Sequence, residues 1–211
     1  ETGVSPSVWR YYLASVRPES SDSQFSWDDF VSANNNELLA NLGNLVNRLV
    51  KFVDAKYNGV VPKYDPKEIG NFDELSENIN TILASYIKEM ELAHERRGLE
   101  IAMSLSARGN QFLQENKLDN SLFSELSKKS DAVVGVGLII IYTVASLIYP
   151  FMPETAETIY KILNAPALKI GDKFHLVIEG EHNINKPEYL FKRIDPKQVE
   201  TWRAQYGGQS N

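Results

Sequence analysis

Apolar residues recur every three or four positions over long stretches of the chain and alternate almost nowhere, a helical period that predicts a bundle of helices with irregular connections. A first helix is expected from about Ser5 to Val16, with Pro6 suited to its first turn, Pro18 beyond its end, and Trp9, Tyr12, Leu13 and Val16 on one face. Ser26-Trp-Asp-Asp29 has capping-box spacing and opens a long helix to about Tyr57, where Asn58-Gly59 marks the stop. Along it Leu38, Leu42, Leu45, Leu49 and Phe52 form a buried stripe. After a proline-broken linker, Val61 to Gly70, a helix is expected from about Asp73 to Arg96, with Leu75, Ile79, Ile82, Leu83, Tyr86 and Met90 inward. Gly98 punctuates the chain before a further helix, about Leu99 to Asn116. A polar connection, Lys117 to Asp131, leads to an apolar helix, and Pro153 opens a shorter one to about Leu163. Between Asn164 and Asp195, Phe174, Leu176 and Ile178 alternate too briefly to decide between a strand and a packed extended loop. Pro196 begins a terminal helix through about Tyr206, followed by a frayed end.

The run Ala132 to Tyr149 is uncharged and close to the length of a membrane span, roughly 18 residues. A helix that is apolar on every side belongs in a core or in a bilayer. N-cap chemistry at Ser130 and Asp131, the Pro150-Phe-Met-Pro153 stop, and small residues at Gly135, Gly137, Ala145 and Ser146 favour a central core helix.

Composition narrows the class further. The 211 residues suit one domain, or one and a fraction, at roughly 150 residues per domain. With 43% hydrophobic and 24% charged residues, an ordered globular chain is expected. No cysteine is present, which removes disulfides, thiolate zinc sites and cysteine nucleophiles and fits a reducing compartment. A formal charge of -6 argues against binding RNA or anionic membranes through bulk positive charge, so any such binding must be local. Glu1-Thr-Gly-Val-Ser5 carries no features of a secretory signal and reads as an interior cut.

Catalytic spacings are missing: there is no phosphate-cradling glycine loop, no His-Glu-x-x-His and no nucleophile elbow. His94, His175 and His182 have no second imidazole at helical spacing, so no metal site is expected. Ser127-Lys-Lys-Ser130 reads as a solvated turn, and Asp28-Asp29 and Glu89/Glu91 read as a helix start and an exposed face. No catalytic or cofactor-binding residue is assigned.

The remaining signal is polar. Asn41, Asn44, Arg48 and Lys51 recur at three, four and three residues and form a ridge beside the leucine stripe. Asparagine is a weak helix former, so the run Asn34-Asn-Asn36 together with Asn41, Asn44 and Asn47 works against local stability. Ordinary surface residues account for this pattern, as does a helical scaffold facing a protein partner. A third account is RNA: carboxamides present donors and acceptors to the edges of unstacked bases, and arginine pairs with phosphate, stacks or forks onto an acceptor edge.

At these residues the chain resembles the C-terminal part of eukaryotic-type cytosolic methionyl-tRNA synthetases. The likeness runs through Trp9-Arg-Tyr-Tyr-Leu13, Arg17-Pro-Glu19, Asp22 to Trp27, Asn36 to Asn44 with Asn47-Arg48, Tyr149 to Pro153, and Leu190 to Asp195. The resemblance implies an all-α helix bundle of the class I synthetase anticodon-binding type, with an irregular C-terminal segment and a terminal helix. Residues 1–26 would be the end of the stem-contact segment that follows a catalytic domain, and residues 27–211 the anticodon-binding domain. It implies that Asn44 and Arg48 read the methionine anticodon CAU, with Asn41, Lys51, Lys117 and Leu118 as further anticodon-binding residues. Many relatives stack an anticodon base on a Pro-Trp indole after the next long helix; here that stretch is Glu115-Asn-Lys-Leu-Asp119. Leu118 would then supply an apolar platform, with Lys117 near the phosphates, or else be a buried helix-end contact. The implied partners are tRNA(Met) and the protein's own catalytic domain, in the cytoplasm and without a membrane. An accessory tRNA-binding protein or a multi-synthetase assembly would be further partners. ATP and methionine would be substrates of the catalytic domain, whose motifs this chain lacks, and the parent protein would be a methionine-tRNA ligase. The anticodon domain of a sibling class I synthetase stays open as an alternative.

Overall fold

The computed structural model describes residues 2–19, 22–166 and 170–206. Helix α1 (Pro6–Ser15) starts where the Ser5 side chain accepts from the Ser7 amide. Its buried face is Val8, Tyr11 and Tyr12, and Leu13, expected inward, is 56% exposed, because the helix packs around Tyr12 rather than one residue further on. Arg10 donates to the carbonyls of Phe151 at 2.7 Å and Pro150 at 3.2 Å, just beyond the C-terminal end of the apolar helix described below.

The long second helix forms as its sequence predicts, but in three geometries. The Ser26 hydroxyl accepts from the Asp29 amide to cap α2 (Trp27–Ser32), a π-helical stretch follows over Ala33–Gly43, and α3 (Asn44–Tyr57) completes the rod. Asn58 ends it in the left-handed region, φ 52°. Leu38, Leu42, Leu45 and Leu49 are fully buried, and Phe52 is half-buried. The stripe seats against small residues: a Cβ on Gly109 would lie 2.9 Å from Leu45 Cδ2, and one on Gly137 would lie 2.7 Å from Leu49 Cδ2.

Helices α4 (Phe72–Glu91) and α5 (Glu95–Glu115) form an antiparallel pair, broken at Leu92 to His94, where Ala93 has φ 57°. The expected break at Gly98 is therefore corrected. Gly98 lies inside α5, and a Cβ there would meet Met90 Sδ at 2.4 Å, so it permits close approach of the two helices rather than a turn. The expected polar connection contains a short helix, α6 (Asn120–Glu125).

Helix α7 (Ser127–Ile148) is the centre of the molecule, packed by α3, α5, α6, α8 (Pro153–Leu163) and the short turn Pro66–Ile69, while from α4 the Tyr86 hydroxyl donates to the Leu147 carbonyl at 2.8 Å. It begins at Ser127, so Ser130 and Asp131 are not its cap; both instead meet the Tyr57 hydroxyl at 2.8 Å. Its most apolar window is 89% buried inside the fold, which leaves no lipid-facing side for a membrane anchor.

From Asn164 to α9 (Pro196–Tyr206) the described chain is extended and irregular. Among the described residues its one ladder contact is an isolated bridge between Val60 and Asn183. Phe174 and Ile178 are buried and Leu176 is exposed, so the alternation belongs to a packed loop. Residues 189–195 run back along the π stretch as a strap. Asn35 donates to the Ile194 carbonyl at 3.0 Å and accepts from the Ile194 amide at 2.9 Å, and Asn34 donates to the Lys192 carbonyl at 2.9 Å. The strap then delivers α9, where Trp202 lies 5.4 Å from Trp27 between ring centroids and Arg203 pairs with Asp28 at 2.6 Å.

Candidate nucleic-acid interface

The polar ridge divides into residues used internally and residues left outward. Asn41 belongs to the first group: its amide donates to the Met103 carbonyl at 3.1 Å, and its Oδ1 accepts from Ser106 at 2.9 Å and Asn110 at 3.1 Å. Its oxygen and one of its N–H groups thus join the long helix to α5.

That network orients Asn44. The Asn41 backbone carbonyl can only accept, so Asn110 must turn its NH2 toward it, at 2.9 Å, which leaves the Asn110 Oδ1 facing Asn44. Asn44 donates to that oxygen at 2.9 Å. Asn44 is exposed, and its own Oδ1 and second N–H have no partner among the described residues. A cytosine or adenine edge offers the complement, an amino donor next to a ring acceptor. Asn44 also stands where π geometry returns to α, its backbone amide bonded to the Leu39 carbonyl five residues back.

Arg48, one turn on, is half-buried and reaches the Leu118 carbonyl only at 3.5 Å, so most of its guanidinium donors are uncommitted among the described residues. The Leu118 side chain is 5% exposed, which matches the second of the two expected roles, a buried helix-end contact. The cause is the end of α5: Lys117 takes a left-handed φ of 50°, its amide bonds to the Gln114 carbonyl, and the Leu118 amide bonds to the Leu113 carbonyl at 3.0 Å. This double hook folds the next apolar residue onto the helix. Lys117 itself is exposed on the outside of the hook.

Lys51 points to the strap. Its Nζ donates to the Tyr189 hydroxyl at 2.9 Å and lies 4.7 Å from the ring centroid. The ammonium holds the Tyr189 phenol below its ordinary pKa. Between ridge and strap lies a recess of about 310 Å³, lined by Leu39, Ala40, Gly43, Asn44, Asn47, Tyr189, Leu190 and Phe191. Asn47 Oδ1 is buried there with no hydrogen-bond partner among the described residues.

Asn44, Arg48 and Lys51 are thus brought onto one face, Lys117 borders it beside the Leu118 carbonyl that Arg48 reaches, and Asn41 and Leu118 support it from behind. Asn110 and Tyr189 join the site without having been singled out by the sequence, and Asn47, noted there only in the asparagine run and the family likeness, joins it as well. Asn110 and Tyr189 come from α5 and the strap, and no helical period on the ridge extends to them.

Residues 64–211 match the family described as the anticodon binding domain of methionyl tRNA ligase, and residues 1–50 match the class I tRNA synthetases (M). The cytoplasmic methionine--tRNA ligase of Saccharomyces cerevisiae is 74% identical over 99% of this chain and 28% of its own length. The probable cytoplasmic methionine--tRNA ligase of Schizosaccharomyces pombe is 49% identical over 99% of the chain and 27% of its own length. The chain therefore spans about 28% of the length of the first of these relatives. In fold, it is similar to apo methionyl-tRNA synthetase of Mycobacterium tuberculosis, with a TM-score of 0.78 at 21% identity, covering 92% of this chain and 40% of that one.

Proposed function

The chain belongs to the family of methionyl-tRNA ligase anticodon-binding domains, and from that premise we propose that it reads the CAU anticodon of methionine tRNA through Asn44 and Arg48. The observation that carries this reading is the Ser106–Asn41–Asn110–Asn44 network, which holds the exposed Asn44 amide on a helix with one acceptor and one donor unpaired among the described residues. Arg48, one turn away with most of its donors uncommitted, supplies charge-assisted hydrogen bonds to a neighbouring base or phosphate. Lys51 and Lys117 lie at the margins as phosphate partners. A wrong base leaves these groups desolvated and unpaired, at a cost of about 1 to 3 kcal/mol each.

On this reading, residues 1–26 end the segment that follows a catalytic domain and residues 27–211 form the anticodon-binding domain. The catalytic domain, outside this chain, joins methionine to the tRNA with ATP, and this chain positions the tRNA for it. The cytoplasmic names of the yeast relatives support a cytoplasmic setting.

The test is a binding titration of the chain with a hairpin carrying CAU and with an anticodon-swapped hairpin. Asn44→Ala and Arg48→Ala are each expected to weaken CAU binding by about 5- to 100-fold and to erase most of the preference over the swapped loop. Equal losses for both hairpins would show that neither side chain reads a base.

A further inference from the structure

We propose that Tyr189, on the strap, is the stacking platform on which an anticodon base lies while Asn44 reads that base's edge. The inference rests on the anticodon reading above and names a residue that the reading itself does not supply.

Tyr189 is 71% exposed, the most exposed of the large apolar and aromatic side chains described. An aromatic ring so placed ordinarily costs solvation and is free to swing, yet this one is held by the Lys51 hydrogen bond to its hydroxyl. Its backbone is held as well. Leu190 packs against the core, Phe191 is buried beside Gly43, and Asn34 and Asn35 bond the strap at Lys192 and Ile194. The result is a fixed aromatic surface on an otherwise loop-like segment.

The recess it borders has two kinds of wall. Asn44 and Asn47 provide hydrogen-bonding amides, and Leu39, Ala40, Gly43, Leu190 and Phe191 provide an apolar floor. A planar ligand with polar edges and an apolar face fits this division, and an unstacked nucleobase is such a ligand. Stacking on an aromatic ring is tolerant of base identity, because every base has a π face. Tyr189 should therefore supply affinity, and Asn44 should supply choice.

The two roles separate experimentally. The full chain is titrated with CAU and anticodon-swapped hairpins, and with a CAU hairpin whose middle base is 2-aminopurine, a fluorescent adenine analogue quenched by stacking. Tyr189→Ala should weaken binding of both hairpins by about tenfold, keep their ratio, and remove the quenching. Tyr189→Phe and Tyr189→Trp should stay within about threefold of the parent and keep the quenching. Because the side chain is largely solvent-exposed, a circular-dichroism melt of Tyr189→Ala should match the parent. Parent-like affinity and quenching in Tyr189→Ala, with Asn44→Ala still losing anticodon preference, overturns the platform and leaves the anticodon reading intact. Equal weakening by Ala, Phe and Trp also overturns it. A parent chain with no preference for CAU overturns both.

Discussion

Asn35 sits in the interior of a helix, 9% exposed, in a position where its helix propensity is poor. Its carboxamide pairs with the Ile194 carbonyl and amide as one strand would pair with another, which gives a buried backbone segment the partners it would otherwise lack. Asn35→Ala removes both hydrogen bonds at once and leaves the Ile194 groups buried and unpaired. A loss of about 2 to 4 kcal/mol is expected in urea unfolding, together with weaker RNA binding because the strap carries Tyr189. Asn35→Ala with unchanged stability would mean that the strap is held by its apolar anchors alone. The sequence showed that the asparagine run opposed the helix but gave no sign of which residues compensated for it. Asn34 and Asn35 serve the strap and Asn44 serves the ridge face, and these uses cannot be told apart from residue type or spacing. A hydrogen bond between residues 159 positions apart leaves no local period.

At the scale of elements, helices with both an apolar stripe and recognisable caps formed where the pattern placed them, as in the Ser26 cap and the Asn58 stop. Boundaries moved where glycine was read as punctuation. At Gly98 the missing side chain serves a helix crossing, and the turn is made at Ala93, whose positive φ is not foretold by alanine. The hook at the end of α5 has the same character. A lysine there, at φ 50°, carries a steric cost of about 1 kcal/mol that glycine would not. Lys117→Gly should raise the melting temperature by about 2 to 4 °C. The same change should weaken hairpin binding if the Lys117 ammonium meets phosphate, so stability and affinity are expected to move in opposite directions. A drop in melting temperature would show that the lysine side chain packs usefully on the hook.

For the molecule as a whole, a net charge of -6 must be compatible with the proposed binding to a polyanion. Arg48, Lys51 and Lys117 gather at one edge of the bundle, so few counterions are released on binding. The slope of log affinity against log salt should be about -2, as for about three phosphate contacts with single-stranded RNA. A slope steeper than about -5 would point to a broad basic surface and away from a local reader. The helix bundle, the burial of α7 and the leucine stripe were set by the sequence itself, because apolar periodicity and caps act over a few residues and are written locally. Tertiary structure alone decided which amide of the ridge faces outward, that Leu118 turns inward, and that Tyr189 stands beside Asn44. Those outcomes depend on hydrogen bonds and packing between segments far apart in the chain, whose partners are fixed only when the helices and the strap come together.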